Sequence, residues 1–203
     1  AFLRSVPLLR TLAWTTGFWN LFHNMMMIAL VLHTQENLGL SAATYGLMLA
    51  GGAVGGIAGS LLGERIVGAL GPVRTMRWAM VASPLGFAVI ALAPGPMTVA
   101  LAFAAMEFAG LVWNVVSVST RQRMIPNAIM GRVNSLYRLL AWGMIPVGLV
   151  LSGAIVSLAE LGLSRGQALV APFWFAAIGS LVLTLAVWGA IAGRGGGAVD
   201  SRQ

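Results

Sequence analysis

Long apolar runs dominate this chain, broken by short clusters of arginine, glycine and proline. At a rise of ~1.5 Å per residue, a hydrocarbon core of ~30 Å takes about 20 helical residues to cross. Six stretches approach or exceed that length: Leu12 to His33, Ala43 to Leu62, Trp78 to Ala93, Met97 to Val118, Leu136 to Leu158 and Ala168 to Ala192. The third is the shortest, and Met76 and Pro94 extend it into the interface. The pattern predicts an all-α integral membrane protein with six transmembrane helices. The first stretch does not read as a cleavable signal, because it is long, carries Asn20, His23 and Asn24, and lacks a small-residue cleavage site.

Polar positions inside these runs carry the functional information. Glu107 is the one acid within a span; it falls near the middle of the fourth, and Gly110, Asn114 and Ser117 continue its face at helical spacing. The first span has a matching line in Thr16, Asn20, His23 with Asn24, and Met27, while Leu21, Phe22, Met25, Met26 and Ile28 occupy its other side. A polar line of period 3.6 in an apolar helix faces a wet cavity or another polar helix. An ionisable group at the bilayer centre costs about 2.5–3.5 kcal/mol on insertion scales, so Glu107 needs a reason to be there. It reads either as a protonated carboxyl bonded to a neighbouring helix, or as a carboxylate that exchanges a proton with a cavity or pairs with a cationic substrate. His23 is either a neutral imidazole bonded to a backbone carbonyl or part of the same site. Asn20, Asn24 and Asn114 either staple helices or contact substrate and water.

Small residues mark the packing. Gly51, Gly55, Gly59 and Gly63 recur at four-residue steps along the second span, beside Gly52, Gly56 and Ser60. Such a face lets another backbone come close, and it also suits helices that slide. Pro84 and Pro172 each remove a helical hydrogen bond and predict a bend in the third and sixth spans. Their similar surroundings, Pro84-Leu85-Gly86-Phe87 and Pro172-Phe173-Trp174-Phe175, in spans of opposite direction, are what two inverted three-helix repeats would produce.

Composition narrows the choices. Only 8% of the 203 residues are charged, against about 25% in soluble domains, and mean hydropathy is +0.89, so a water-facing surface is excluded. With no cysteine, thiol chemistry and disulfide scaffolds are excluded too. The net charge of +7 comes from arginine without lysine and forms no continuous basic face, which argues against nucleic acid. Arg4, Arg10, Arg65, Arg74, Arg77, Arg121, Arg123, Arg132, Arg138, Arg194 and Arg202 all fall on one side of the six-span arrangement, and Arg165 alone on the other. Basic loops stay cytoplasmic, so both termini are expected in the cytoplasm of a multi-pass protein of the plasma or inner membrane. Residues 1–193 read as one domain and 194–203 as a flexible cytoplasmic tail. No metal or cofactor is expected, since His23 and His33 lie at different depths and no acid follows at ligand spacing. An enzyme is not expected either: Ser152-Gly153 and His23 lack an orienting acid, and no phosphate-cradling loop occurs.

Arg123-Met124-Ile125-Pro126 followed by Gly131-Arg132-Val133-Asn134-Ser135-Leu136-Tyr137-Arg138 resembles the loop between the fourth and fifth spans in the second half of major facilitator superfamily transporters. The likeness is greatest to the branch holding the enterobactin exporter and macrolide and multidrug efflux permeases. Between spans two and three, Glu64-Arg65 with Gly71 and Arg74 is similar to the cytoplasmic Gly-x-x-x-Asp-Arg-x-Gly-Arg loop of that superfamily. The acid here is Glu, Ser60 stands at the leading glycine, and Gly68 and Gly71 fall late. The resemblance covers Leu9 to Ala192 but half of the family's twelve-span architecture. It implies the C-terminal half of a proton-coupled exporter of a small amphipathic molecule, of drug or siderophore class, working by alternating access. Its implied partners are that substrate, protons, the bilayer and a first six-helix half, in the same original chain or separate; Ala1 in place of methionine favours truncation. Glu107, His23, Asn20, Asn24 and Asn114 would then serve substrate binding or proton coupling, with the first and fourth spans lining the cavity. Gly51, Gly55, Gly59, Gly63, Glu64, Arg65, Gly131, Arg132 and Arg138 would serve packing and gating. A non-transporting half or assembly partner is the alternative, with a membrane enzyme third.

Overall fold

A computed structural model describes residues 6–199, with side chains described as far as Ile191. All its elements are helical. Helix α1 (Pro7–Leu32) begins with proline at its first turn, where a missing N–H costs nothing, and closes in a π-helical turn, His33–Asn37. Helix α2 (Ala42–Leu70) is capped by Ser41, whose Oγ accepts from the Thr44 N–H at 3.2 Å. Gly71 alone, at φ +77°, turns the chain into α3 (Pro72–Ala91); a side chain there would be strained. Helix α4 (Pro96–Met124) follows, then a 3₁₀ turn (Asn127–Ile129), α5 (Met130–Trp142), α6 (Met144–Ala159) and α7 (Arg165–Val199).

Four stretches are long and apolar enough to cross a membrane: Ala42–Leu70, Pro96–Met124, Asn127–Ala159 and Arg165–Ile191. Helices α1 and α3 are not among them. The polar line of α1, and Arg74, Arg77 and Ser83 in α3, dilute their apolar content. Three local expectations also change. The segments holding Glu64 and Arg65, and Gly131, Arg132 and Arg138, are helical rather than loops, within α2 and α5. The expected fifth span is two helices meeting at Gly143, because the ring of Pro146 excludes the Trp142 carbonyl from the helical ladder. The stretch 194–199, expected as part of a flexible tail, continues α7, while Arg4 and residues 200–203 lie outside the described residues. Pro84 and Pro172, by contrast, sit inside continuous helices.

The glycine stripe of α2 packs on α4. A Cβ at Gly55 or Gly59 would strike the backbone carbonyls of Ala104 and Phe108, and one at Gly52 the ring of Phe103. Lipid offers no hydrophobic drive for helix pairing, so dispersion between closely apposed backbones supplies it. On the other side, α1 packs against α5, α6 and α7, and α3 against α4 and α7. A core of Leu21, Phe22, Met25, Met26, Phe87, Met106 and Phe173 fills the space between them. At the end where α1 stops and α7 starts, Arg165 donates to both Glu36 carboxylate oxygens, at 2.9 and 3.0 Å, and to Glu160 at 2.5 Å. That guanidinium holds the Glu36 carboxyl below its ordinary value of 4.5.

Gly59→Ala is expected to destabilise the protein in detergent by about 1–3 kcal/mol, as overpacking does. Gly153→Ala, inside a helix and meeting nothing within 4 Å, should hold or raise the unfolding midpoint, since alanine favours the helix. A lowered folded pKa means that the contribution of Glu36 is complete above pH 4.5 and is lost as pH falls through the lower folded value. Acidification from pH 5 should therefore lower the thermal midpoint of the wild type more steeply than that of Arg165→Gln; equal slopes would remove the clamp from this account.

Candidate functional site

Of the two polar lines expected on α1 and α4, Thr16, Asn20, Gly110 and Asn114 line a cavity of about 420 Å³, while His23, Asn24, Met27, Glu107 and Ser117 do not. From α1 come Thr15, Thr16, Trp19 and Asn20; from α4, Gly110, Trp113, Asn114 and Arg121; from α5, Asn134, Tyr137 and Arg138. Ser83 of α3, with Ser180 and Thr184 of α7, also lines it. Polar and aromatic groups thus gather inside a bundle whose outer faces are apolar, with Val54, Leu101, Val150 and Leu185 all exposed.

A directional hydrogen-bond chain shapes the wall. Trp113 Nε1 donates to Thr16 Oγ1 at 3.4 Å, Thr16 lies 2.7 Å from the Tyr137 hydroxyl, and that hydroxyl donates to the Leu12 carbonyl at 3.2 Å. Ser117 Oγ, at 3.3 Å, supplies a further contact to Tyr137. Deep in the bundle Trp19 Nε1 donates to Ser83 Oγ at 2.8 Å, just before Pro84. Tyr137 in turn supports Arg121, whose guanidinium carbon lies 3.7 Å above the ring centroid, an attraction that strengthens where water is scarce.

The ionisable pair lies beside this cavity, outside its lining. His23 Nε2 is 3.5 Å from Glu107 Oε1, with 15% and 20% of the two side chains exposed. The imidazole stacks on Trp19 at 4.7 Å between centroids and on Phe103 at 6.2 Å. Trp19 thus lines the cavity and stacks on His23 of the pair. The second ring nitrogen, His23 Nδ1, and Glu107 Oε1 are buried without a hydrogen-bond partner. Two protonatable groups at this distance in a poorly hydrated setting can share or exchange a proton, and a change in that proton alters the field at Trp19.

The remaining candidates separate by position. Asn20 lines the cavity and donates to the Ala141 carbonyl at 2.8 Å, bridging α1 to α5. Asn24 donates to the Asn20 carbonyl within its own helix at 2.8 Å and lies off the cavity. Asn114 is exposed on the cavity wall, its amide without a protein partner among the described residues. Gly51 and Gly63 join Gly55 and Gly59 against α4, facing Ala100 and Val115. Glu64, Arg65 and Arg132 are exposed, Glu64 forms no ion pair among the described residues, and Gly131 has nothing within 4 Å. Arg138 lines the cavity, 5.6 Å from the Trp142 ring.

Arg121, Tyr137, Trp113, Thr15, Ser83 and Thr184 belong to the site without having been singled out for it. Arg121 had a signal: it continues the spacing of Glu107, Gly110, Asn114 and Ser117 by one more step. Comparison with family models, with curated proteins and with solved structures yields no significant match.

Tyr137→Phe removes one partner from the Thr16 and Ser117 hydroxyls and the second donor to the Leu12 carbonyl. It should cost about 1–3 kcal/mol in detergent unfolding, whereas Phe at an exposed site such as Leu139 should cost nothing.

Proposed function

We propose that the chain is a six-helix half of a secondary active transporter, moving a small amphipathic molecule through the α1–α4 cavity with the His23–Glu107 pair as its proton-coupling element. The observation that carries this reading is the pairing of a polar, small-molecule-sized cavity with two protonatable side chains beside it, in a bundle that otherwise presents apolar surface. Soluble ligand sites of this size are usual; buried charge in a membrane-compatible bundle is retained where ions or substrates pass.

In this reading α1 and α3 also cross the bilayer, giving six spans with both termini cytoplasmic. Packing against four more apolar helices lets their polar residues avoid lipid. The arrangement of α3 against α7, each with an interior proline and each giving a serine to the cavity, is consistent with two inverted three-helix repeats. The glycine seam between α2 and α4 serves as the sliding contact when the bundle rocks. Glu64, Arg65, Gly131, Arg132 and Arg138 lie toward the arginine-rich end, free to meet the first half when the bundle rocks, and Arg121 and Arg138 line the cavity there. A first six-helix half, from the same reading frame or a separate one, supplies the facing wall. The membrane is the plasma or inner membrane, and neither cofactor nor metal takes part.

The test is gradient-driven dye efflux from proteoliposomes carrying the longest open reading frame that contains this chain, with a panel of cationic, neutral and anionic amphipathic dyes. Glu107→Gln is expected to reduce efflux to the level of protein-free vesicles while insertion and thermal midpoint stay unchanged. Full efflux in that variant would demote the pair to helix packing.

A further inference from the structure

Nothing in the cavity lining balances its positive charge. Arg121 and Arg138 both line it, and no acid does; Glu107, the nearest buried carboxylate in sequence on α4, is engaged with His23 instead. Among the described residues neither arginine forms an ion pair. Arg121 is partly buried and its Nε has no hydrogen-bond partner, whereas buried polar atoms ordinarily find one. Its ring-stacked face is occupied by Tyr137 at 3.7 Å, and that ring is fixed by Thr16, Ser117 and Leu12. Arg121 lines the cavity while its Nε is buried, so the groups left to meet a ligand are the terminal Nη N–H groups, whose paired edge can grip a carboxylate bidentately.

A second, independent vacancy lies on the facing helix. Thr15 is 3% exposed, lines the same cavity, and its hydroxyl has no partner, even though a helical threonine can ordinarily bond back along its own helix. Asn114 adds a free amide. Between these polar points stand the flat indoles of Trp19 and Trp113, whose N–H groups are already committed to Ser83 and Thr16 and so offer only apolar faces.

We propose that this cavity binds an amphipathic anion, a carboxylate carried on a flat apolar body, with the carboxylate on the Arg121 edge and the body against Trp19 and Trp113. The inference deepens the transporter reading, on which it rests for what the bound molecule is for; binding itself is measured without transport.

Three probes share one naphthyl body: naphthaleneacetate, its near-isosteric neutral amide naphthaleneacetamide, and the smaller cationic naphthylmethylammonium. Equilibrium dialysis against the full chain in nanodiscs of zwitterionic lipid, with empty nanodiscs as the blank, should rank them anion, then amide, then cation. The acetate should exceed the amide by about ten-fold or more, the scale of a charged hydrogen bond. Arg121→Gln should erase that preference while retaining amide binding, and Arg121→Lys should keep part of it. The ranking in the wild type does not depend on how any variant folds. Equal binding of acetate and amide, tighter binding of the ammonium, or a preference that survives in a folded Arg121→Gln would overturn the proposal. Adding anionic phosphatidylglycerol should leave the acetate preference in place; its abolition would give the site to lipid headgroups and overturn the assignment to a soluble anion. Loss of probe binding with efflux intact would reject the anion and spare the transporter reading, and the converse would do the opposite.

Discussion

A polar side chain carried into a bilayer has to find a partner or face water, because hydrocarbon offers neither donor nor acceptor. In the six-span reading proposed above, that constraint organises the bundle. Helix α1 carries Thr15, Thr16, Trp19, Asn20 and His23 along one line, and α4 carries Glu107, Trp113, Asn114, Ser117 and Arg121 along another. Neither line can be turned toward lipid without stranding most of its hydrogen-bonding groups. Turned toward each other, they produce the Trp113–Thr16–Tyr137 chain, the His23–Glu107 contact and the cavity between them.

Close packing elsewhere makes that arrangement possible. The α2–α4 seam brings two backbones together through Gly55 and Gly59, anchoring α4 on its far side so that its polar side is free to face α1. Similar contacts hold α1: Gly148 of α6 lies against the Leu21 backbone and Gly17 against the Leu140 carbonyl. Small residues thus sit where helices are pressed together, while large aromatic residues, Trp19, Trp113 and Tyr137, stand where helices part. The Arg165 clamp to Glu36 and Glu160 ties one end of the bundle; the other end holds Arg121 and Arg138 and is joined by the contact of Arg77 with the Trp188 carbonyl and ring.

Much of this was legible in the chain because period and polarity were aligned. The spacing pointed to Thr16, Asn20, Gly110 and Asn114, which do line one cavity, and the glycine stripe announced a close helix pair. Partner choice was not legible: nothing in the spacing of Gly55 and Gly59 says that α4, rather than α1 or α3, receives them. Helix ends were also obscured. Arg65, Arg132 and Arg138 read as loop residues by charge, yet each lies within a helix, because arginine has good helical propensity and its long side chain reaches water from inside one. The same habit of reading arginine as a boundary hid Arg121, a step further along the line that contains Glu107. Ser83 was masked by its neighbour Pro84, and Tyr137 by its place in a motif that looked like a connection.

In the proposed transporter, the cavity between α1 and α4, lined by Arg121 and Arg138, takes up water from the arginine-rich end. The natural absence of cysteine makes that uptake directly measurable. In sealed vesicles, Asn114→Cys, on the cavity wall, and Val54→Cys, on the outer face of α2 where the native side chain is 67% exposed, are treated with a membrane-impermeant maleimide added to each side in turn. The account predicts rapid labelling of Asn114→Cys from the arginine-rich side and none of Val54→Cys from either; an unlabelled Asn114→Cys, or equal labelling of the two, would contradict it.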